Sequence, residues 1–238
     1  TKQKSIKQFK EFFYSSEKRR TTREILLRCP YDSYQTVVNF ITEMCISIEI
    51  ISIWITLYRV NPNNSKIVSA LKRAALSGKH VFVFIEMRAR GDEENNCKVY
   101  SELKRSGCFV KTDYFGYKVH GKMFLAMDKR SRLYGHIGTG NYNEKTATQY
   151  TDTHLITVRK NITEEMLNIF IALFEKKIYI TENTQNELFM SPTNLRLKIL
   201  DLIEAEIKKN KKGKIYIKVN NFCDKEIASL LHRAAQHH

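Results

Sequence analysis

Proline and glycine are scarce, 3 and 9 residues of 238. With 42% hydrophobic and 27% charged residues, that scarcity excludes a collagen-like or Pro/Gly-rich disordered chain and leaves one able to bury a core. Cysteine is sparse too. Cys29, Cys45, Cys97, Cys108 and Cys223 show no CxxC and no Cys/His ligand spacing, and the odd count cannot close into a full disulfide set. A reducing, cytoplasmic setting is expected. The longest apolar run, residues 45–58, is broken by Glu49 and is too short for a membrane span. The first residues do not read as a secretory leader. Acids are the last shortage: 25 Asp and Glu face 40 Lys and Arg, a net charge of +15. Such a surface suits a polyanion, and charge alone does not choose between nucleic acid, acidic membrane and phosphate polymer.

What is present is regularly patterned. Residues 1–23, basic at Lys18, Arg19, Arg20 and Arg23 with aromatics at Phe9, Phe12, Phe13 and Tyr14, read as a peripheral helix or arm. An Ile-rich strand is predicted from Ile46 through Thr56, then a helix over 65–77 with Ile67, Leu71 and Ala74 on one face and Gly78 closing it, then a strand over 80–86. Asp92, Glu93 and Glu94 suit the positive end of the next helix, which should stop at Gly107. Strands are predicted over 109–114, 119–127 and 133–137, helices over 163–174 and 195–209, a basic turn over 208–214, a strand over 215–219 and a last helix from Asp224. The alternation implies the α/β class, a mixed sheet with helices on its faces.

Residues 66–75 and 226–235 align with each other, each after an Ile-rich segment and a short Asn-containing loop. The chain reads as one module followed by the opening of a second.

The chemistry centres on His120-Gly121-Lys122. At the start of a predicted strand, both side chains point to one face. Lys122 neutralises phosphoryl oxygens and discourages protonation of His120, leaving a lone pair free to attack phosphorus. One strand later comes Gly138-Thr139-Gly140-Asn141, whose glycines let backbone N–H groups approach an anion and whose Thr and Asn add neutral donors. An HxK triplet alone arises often by chance; with G-[ST]-x-N following, the pair points to phosphoryl chemistry. Glu144 and Asp152 are nearby acids, each a Mg²⁺ or orienting partner, a surface charge or a helix cap. The sequence does not identify metal ligands.

This constellation resembles the phospholipase D superfamily, in which His attacks phosphorus while Lys and Asn hold phosphoryl oxygens. The Asp usual five residues after the Lys is Met127 here, with Asp128 one place further. Longer runs resemble the polyphosphate kinase family: Pro30-Tyr31-Asp32-Ser33, Thr56-Leu57-Tyr58-Arg59, residues 89–96, His120-Gly121-Lys122-Met123, and residues 136–147 through Tyr150-Thr151-Asp152. The resemblance implies an arm over 1–23, a first phospholipase-D-like catalytic domain over 24–190 and the start of a second over 191–238. It implies reversible transfer of the terminal phosphate of ATP to inorganic polyphosphate through a phosphohistidine at His120, with Mg²⁺ as cofactor. Arg59 and Arg90 match the metal and phosphate site, where as cations they clamp phosphoryl oxygens rather than ligate Mg²⁺; Tyr150 matches a nucleotide contact. Nucleic acid is not expected, and membrane contact is at most peripheral.

Departures from the family pattern are Arg28-Cys29 for two histidines, Trp54 for Lys, Gly91 for an aromatic, Gly121 for Ala and Thr148 for Arg. The resemblance implies that the family's N-terminal domains and the remainder of its second catalytic domain, with another His and Arg of the ATP site, are missing here, and that the active site is incomplete unless a partner chain supplies them; a homo-oligomer is a further expectation. Two other classes compete: a homodimeric phospholipase-D-type phosphodiesterase or nuclease, and a non-catalytic polyanion-binding module. ATP dependence separates the kinase from the first, and binding without turnover marks the second.

Overall fold

Runs of Ile, Val and Phe alternate with helices bearing one apolar face. In the computed structural model of the chain, which describes residues 24–178, 187–219 and 221–236, they build a seven-stranded sheet. In chain order the elements are β1 (Ile25–Cys29), α1 (Gln35–Ile46), β2 (Ile50–Leu57), α2 (Lys66–Leu76), β3 (His80–Ile85), α3 (Glu93–Arg105), β4 (Phe109–Lys111), β5 (Lys122–Asp128), β6 (Leu133–Gly138), β7 (Asp152–Thr157) and α4 (Lys160–Glu175). The sheet order is β1-β7-β6-β5-β2-β3-β4. β2, β3 and β4 run parallel while the remaining neighbours are antiparallel, so the sheet is mixed.

Alternation along the strands divides the core in two. Ile53 and Ile55 on β2 and Phe124 and Ala126 on β5 join the cluster with Val37, Phe40 and Ile41 of α1 and Ile67 and Leu71 of α2. The other face carries a ladder of stacked rings, Trp54 on Phe82 at 5.5 Å and Phe82 on Phe109 at 5.0 Å, with Phe174 of α4 edge-on to Phe82. Ser65 caps α2, accepting from the Val68 N–H at 3.2 Å.

The pairing decides where the loops go. The C-terminal ends of β1, β2, β3 and β6 and the N-terminal ends of β5 and β7 all meet at one edge of the sheet: Leu57 adjoins Ile85, Lys122 pairs with Gly138, and Asp152 with Cys29.

Several boundaries differ from expectation. Ile46 ends α1 instead of opening a strand, because the Ser47 N–H still bonds the Glu43 carbonyl and β2 begins only after the turn at 47–50. The strand expected over 109–114 pairs only over 109–111. His120 lies before β5, not in it: the Thr56 hydroxyl donates to the Gly121 carbonyl (2.7 Å) and accepts the Met123 N–H (2.9 Å), so a side chain replaces the ladder there. β1, α1 and β7 had no counterpart in the sequence reading.

The chain divides into two compact units after residue 179. In the second, α5 (Leu195–Lys208) and α6 (Lys225–Gln236) pack through Ile203, Ile227 and Ala234. Asp224 caps α6 and pairs with Arg196 (2.7 Å), while Arg233 pairs with Glu204. Residues 215–219 form no strand, since none of the described residues offers them a ladder partner. The arm at 1–23 lies outside the described residues. No helix among the described residues is long and apolar enough to cross a membrane.

Candidate active site

Tyr58 leaves the end of β2 and organises the HxK pair. Its ring meets the His120 ring edge-on at 4.6 Å, and the Lys122 ammonium lies 4.9 Å from its centre. Lys122 is 3% exposed and donates to the His120 carbonyl at 2.6 Å. Burial, then the charges of Lys122, Lys118 and Arg59, push the His120 pKa below the ordinary histidine value. Burial also pulls Lys122 down to about 8, opposed by Asp152 and helped by Arg59. His120 is therefore neutral and Lys122 charged at pH 7. No described residue hydrogen-bonds either ring nitrogen of His120, which is exposed.

The loop after β6 closes the other side. Thr139 donates to Asp152 at 2.7 Å and accepts the Thr153 N–H, fastening the loop to the start of β7. Glycine is required twice. A Cβ on Gly140 would lie 2.6 Å from the Asp152 carboxylate, and one on Gly138 would collide with the His154 ring. Asn141 Oδ1 and Glu144 Oε1 are buried with no partner among the described residues. Such orphaned acceptors are costly unless a ligand or ion satisfies them.

Arg59 points its guanidinium to the Arg90 carbonyl (3.0 Å) and to Asp92 (3.3 Å), so it ties the loops after β2 and β3 together. Arg90 is exposed and pairs with no described side chain, which leaves its charge available. Tyr150, 60% exposed, follows the 3-10 turn Thr146–Thr148. His120, Lys122 and Arg59 thus share one neighbourhood around Tyr58. The glycine loop adjoins it through the pairing of Lys122 with Gly138, while Tyr150 makes no described contact with them.

Other expectations resolve on position. Asp128 sits at the far end of β5, taking the N–H groups of Arg130 and Arg132, the Arg132 Nε (2.7 Å) and the Tyr134 hydroxyl, so it is a turn-holder away from the HxK pair. Trp54 belongs to the ring ladder rather than to the ligand end of the sheet.

Sequence reasoning assigned no role to the residues beneath the loop. His136 Nδ1 lies 2.8 Å from the Tyr142 hydroxyl and its Nε2 3.1 Å from His154 Nδ1; all three residues are buried. Burial, with His154 adding to it, holds His136 well below the ordinary histidine value. Only the register of β6 on β7 brings the two histidines together.

A mixed α/β sheet of this order, flanked by helices, is a phospholipase-D-like fold. A phospholipase D family member from Salmonella typhimurium shares that fold, with 16% identity and a TM-score of 0.52 over 66% of this chain and 96% of its own. Residues 17–178 match the family described as polyphosphate kinase C-terminal domain 1, and the chain belongs to the polyphosphate kinase family. It is 38% identical over 220 residues to a polyphosphate kinase of Staphylococcus epidermidis, covering 90% of this chain and 29% of that protein. The crystal structure of polyphosphate kinase from Porphyromonas gingivalis matches with a TM-score of 0.75 at 35% identity, over 90% of this chain and 36% of that one. The chain thus spans about a third of the length of the relatives it matches.

Proposed function

We propose that the chain carries the nucleophilic half-site of a polyphosphate kinase, reversibly transferring the terminal phosphate of ATP to inorganic polyphosphate through His120. The observation that carries this reading is the neutral, unbonded His120 ring beside the buried Lys122 ammonium, both packed on Tyr58. The ring nitrogen's lone pair forms an N–P bond to the γ-phosphorus while the bond from that phosphorus to the bridging oxygen breaks, and ADP leaves with the electron pair. A terminal oxygen of polyphosphate then attacks the phosphorus and the N–P bond breaks, returning the lone pair to His120. Lys122, Arg59 and Arg90 spread the charge on the phosphoryl oxygens, Asn141 and the N–H groups of Gly138, Thr139 and Gly140 orient them, and Tyr150 meets the nucleotide.

Among the described residues no three His, Cys, Asp or Glu side chains gather as a metal cage. Mg²⁺ usually needs only one or two carboxylates beside phosphate oxygens. Glu144, with its orphaned oxygen, and Asp152 are the residues that would hold it, and its chemistry there is to neutralise ATP phosphates.

We read the second unit as the start of a second phospholipase-D-like domain following the arm (1–23) and the first domain (24–190). Ile67 and Ala74 of α2 and their counterparts Ile227 and Ala234 of α6 are all buried, which supports the repeat. The five free cysteines and the use of ATP suit the cytoplasm.

Phosphate trapping tests the reading. The wild-type chain, incubated with labelled ATP and Mg²⁺, is expected to gain acid-labile, base-stable phosphate, and the His120→Ala variant none. ATP-independent cleavage of a phosphodiester instead would select the phosphodiesterase, and polyphosphate binding with no label the non-catalytic module.

A further inference from the structure

Two buried polar side chains outside the reacting groups hold the surroundings of His120, Glu86 the segment before it and Asn96 the backbone of Tyr58 and Glu86. Glu86, 2% exposed at the end of β3, accepts the Val119 N–H at 2.7 Å on one oxygen and the Arg88 N–H at 2.9 Å on the other. Arg88 in turn donates to the carbonyls of Gly116 (2.8 Å) and Tyr117 (2.7 Å), so the stretch 116–119 is buckled to β3 from both sides. Asn96, fully buried on α3, donates through one amide to the Tyr58 carbonyl (2.8 Å) and the Glu86 carbonyl (2.9 Å). Tyr58 bears the ring on which His120 packs.

We infer that Glu86 and Asn96 are positioning residues, a buried clamp that fixes the His120 ring at the distance and angle phosphoryl transfer requires. Asn96 sets the spacing of the β2 and β3 ends, Glu86 hangs the residue before His120 from β3, and Arg88 closes the loop over it. The inference rests on His120 being the phosphoryl acceptor. A misplacement of 1 Å at a reacting group costs about a hundredfold in rate. Glutamine at 86 keeps the size but turns an amide N–H₂ toward a backbone donor.

The test compares Glu86→Gln with wild type in the full chain by two readouts: labelling rate from ATP at saturation, with ATP affinity measured separately, and the midpoint of His120 titration by side-chain NMR. The groups facing His120 are Lys118, Lys122, Arg59 and Tyr58, and none is altered. Labelling is expected to fall about a hundredfold with ATP affinity unchanged. The His120 midpoint should rise toward the ordinary value as the ring, loosened from Tyr58, loses its partial burial and draws away from the Lys122, Lys118 and Arg59 charges. Glu102→Gln, which breaks the Lys72–Glu102 pair (2.8 Å), is the control and should move neither. A folded Glu86→Gln protein with wild-type labelling and titration overturns the clamp. If that variant does not fold, Arg88→Gln decides by the same two readouts, since its side chain is largely exposed. A wild-type chain that takes no label while Glu86→Gln still shifts the His120 midpoint would overturn the kinase reading and leave the clamp standing.

Discussion

At His120 and Lys122, two groups that could both be cations lie beside one ring, and burial lowers both, so the intrinsically weaker base, the imidazole, is the one without its proton at neutral pH. His120 loses it first and Lys122, pulled down to about 8, keeps it. The labelling rate should therefore rise through a limb below the ordinary histidine value, as His120 becomes neutral, and fall through a limb near pH 8, as Lys122 loses its charge. In Lys122→Arg the alkaline limb should vanish and the acid limb stay, because guanidinium does not titrate in that range; initial rates across pH decide it. Gly140→Ala should abolish labelling, since its methyl would push Asp152 off Thr139. The loss of stability should stay within about 1–3 kcal/mol, read from urea denaturation. HxK and GTGN were legible because each motif is complete within three or four consecutive residues, although what they pack on lies far along the chain. Glu86, Asn96, His136 and His154 were not, because each finds its partner across strands or from helix to strand end.

Among the elements, the junction of β2 and β5 shows how a side chain can end a strand. Thr56 takes the bonds that a ladder would have made, and so frees the residues before Lys122 to form the loop that carries His120. Thr56→Val, equal in shape, should cost about 1–3 kcal/mol by orphaning the Met123 N–H and the Gly121 carbonyl, measured by chemical denaturation. The helix α1 escaped sequence reading because its apolar residues run straight into the Ile-rich strand, and periodicity cannot divide a continuous apolar run. α2 was legible for the opposite reason, with Ser65 and Gly78 bracketing a clear apolar face. The segment 215–219 has strand composition but no neighbour among the described residues, and composition alone cannot supply one.

For the first unit as a whole, the buried His136 couples stability to pH. Its folded pKa is depressed, so below the ordinary histidine value the unfolded chain binds the extra proton and the folded one does not. The stability it contributes is complete above about pH 6.5 and is lost as pH falls through the window beneath it. Urea midpoints measured from neutral to acidic pH should decline accordingly, and His136→Gln should flatten that part of the decline.

The α/β class, the elements from α2 to β6, the HxK and GTGN motifs and the excess of positive charge were determined by the sequence itself, because hydrophobic period, turn residues and short motifs are local properties. Which loops meet, which histidines touch and which carboxylate holds the His120 segment were decided only by tertiary structure. The physical reason is the sheet's mixed pairing: β5 running antiparallel beside β2, and β7 beside β6, brings residues 59, 90, 120, 138 and 152 to one edge, a juxtaposition no spacing along the chain encodes.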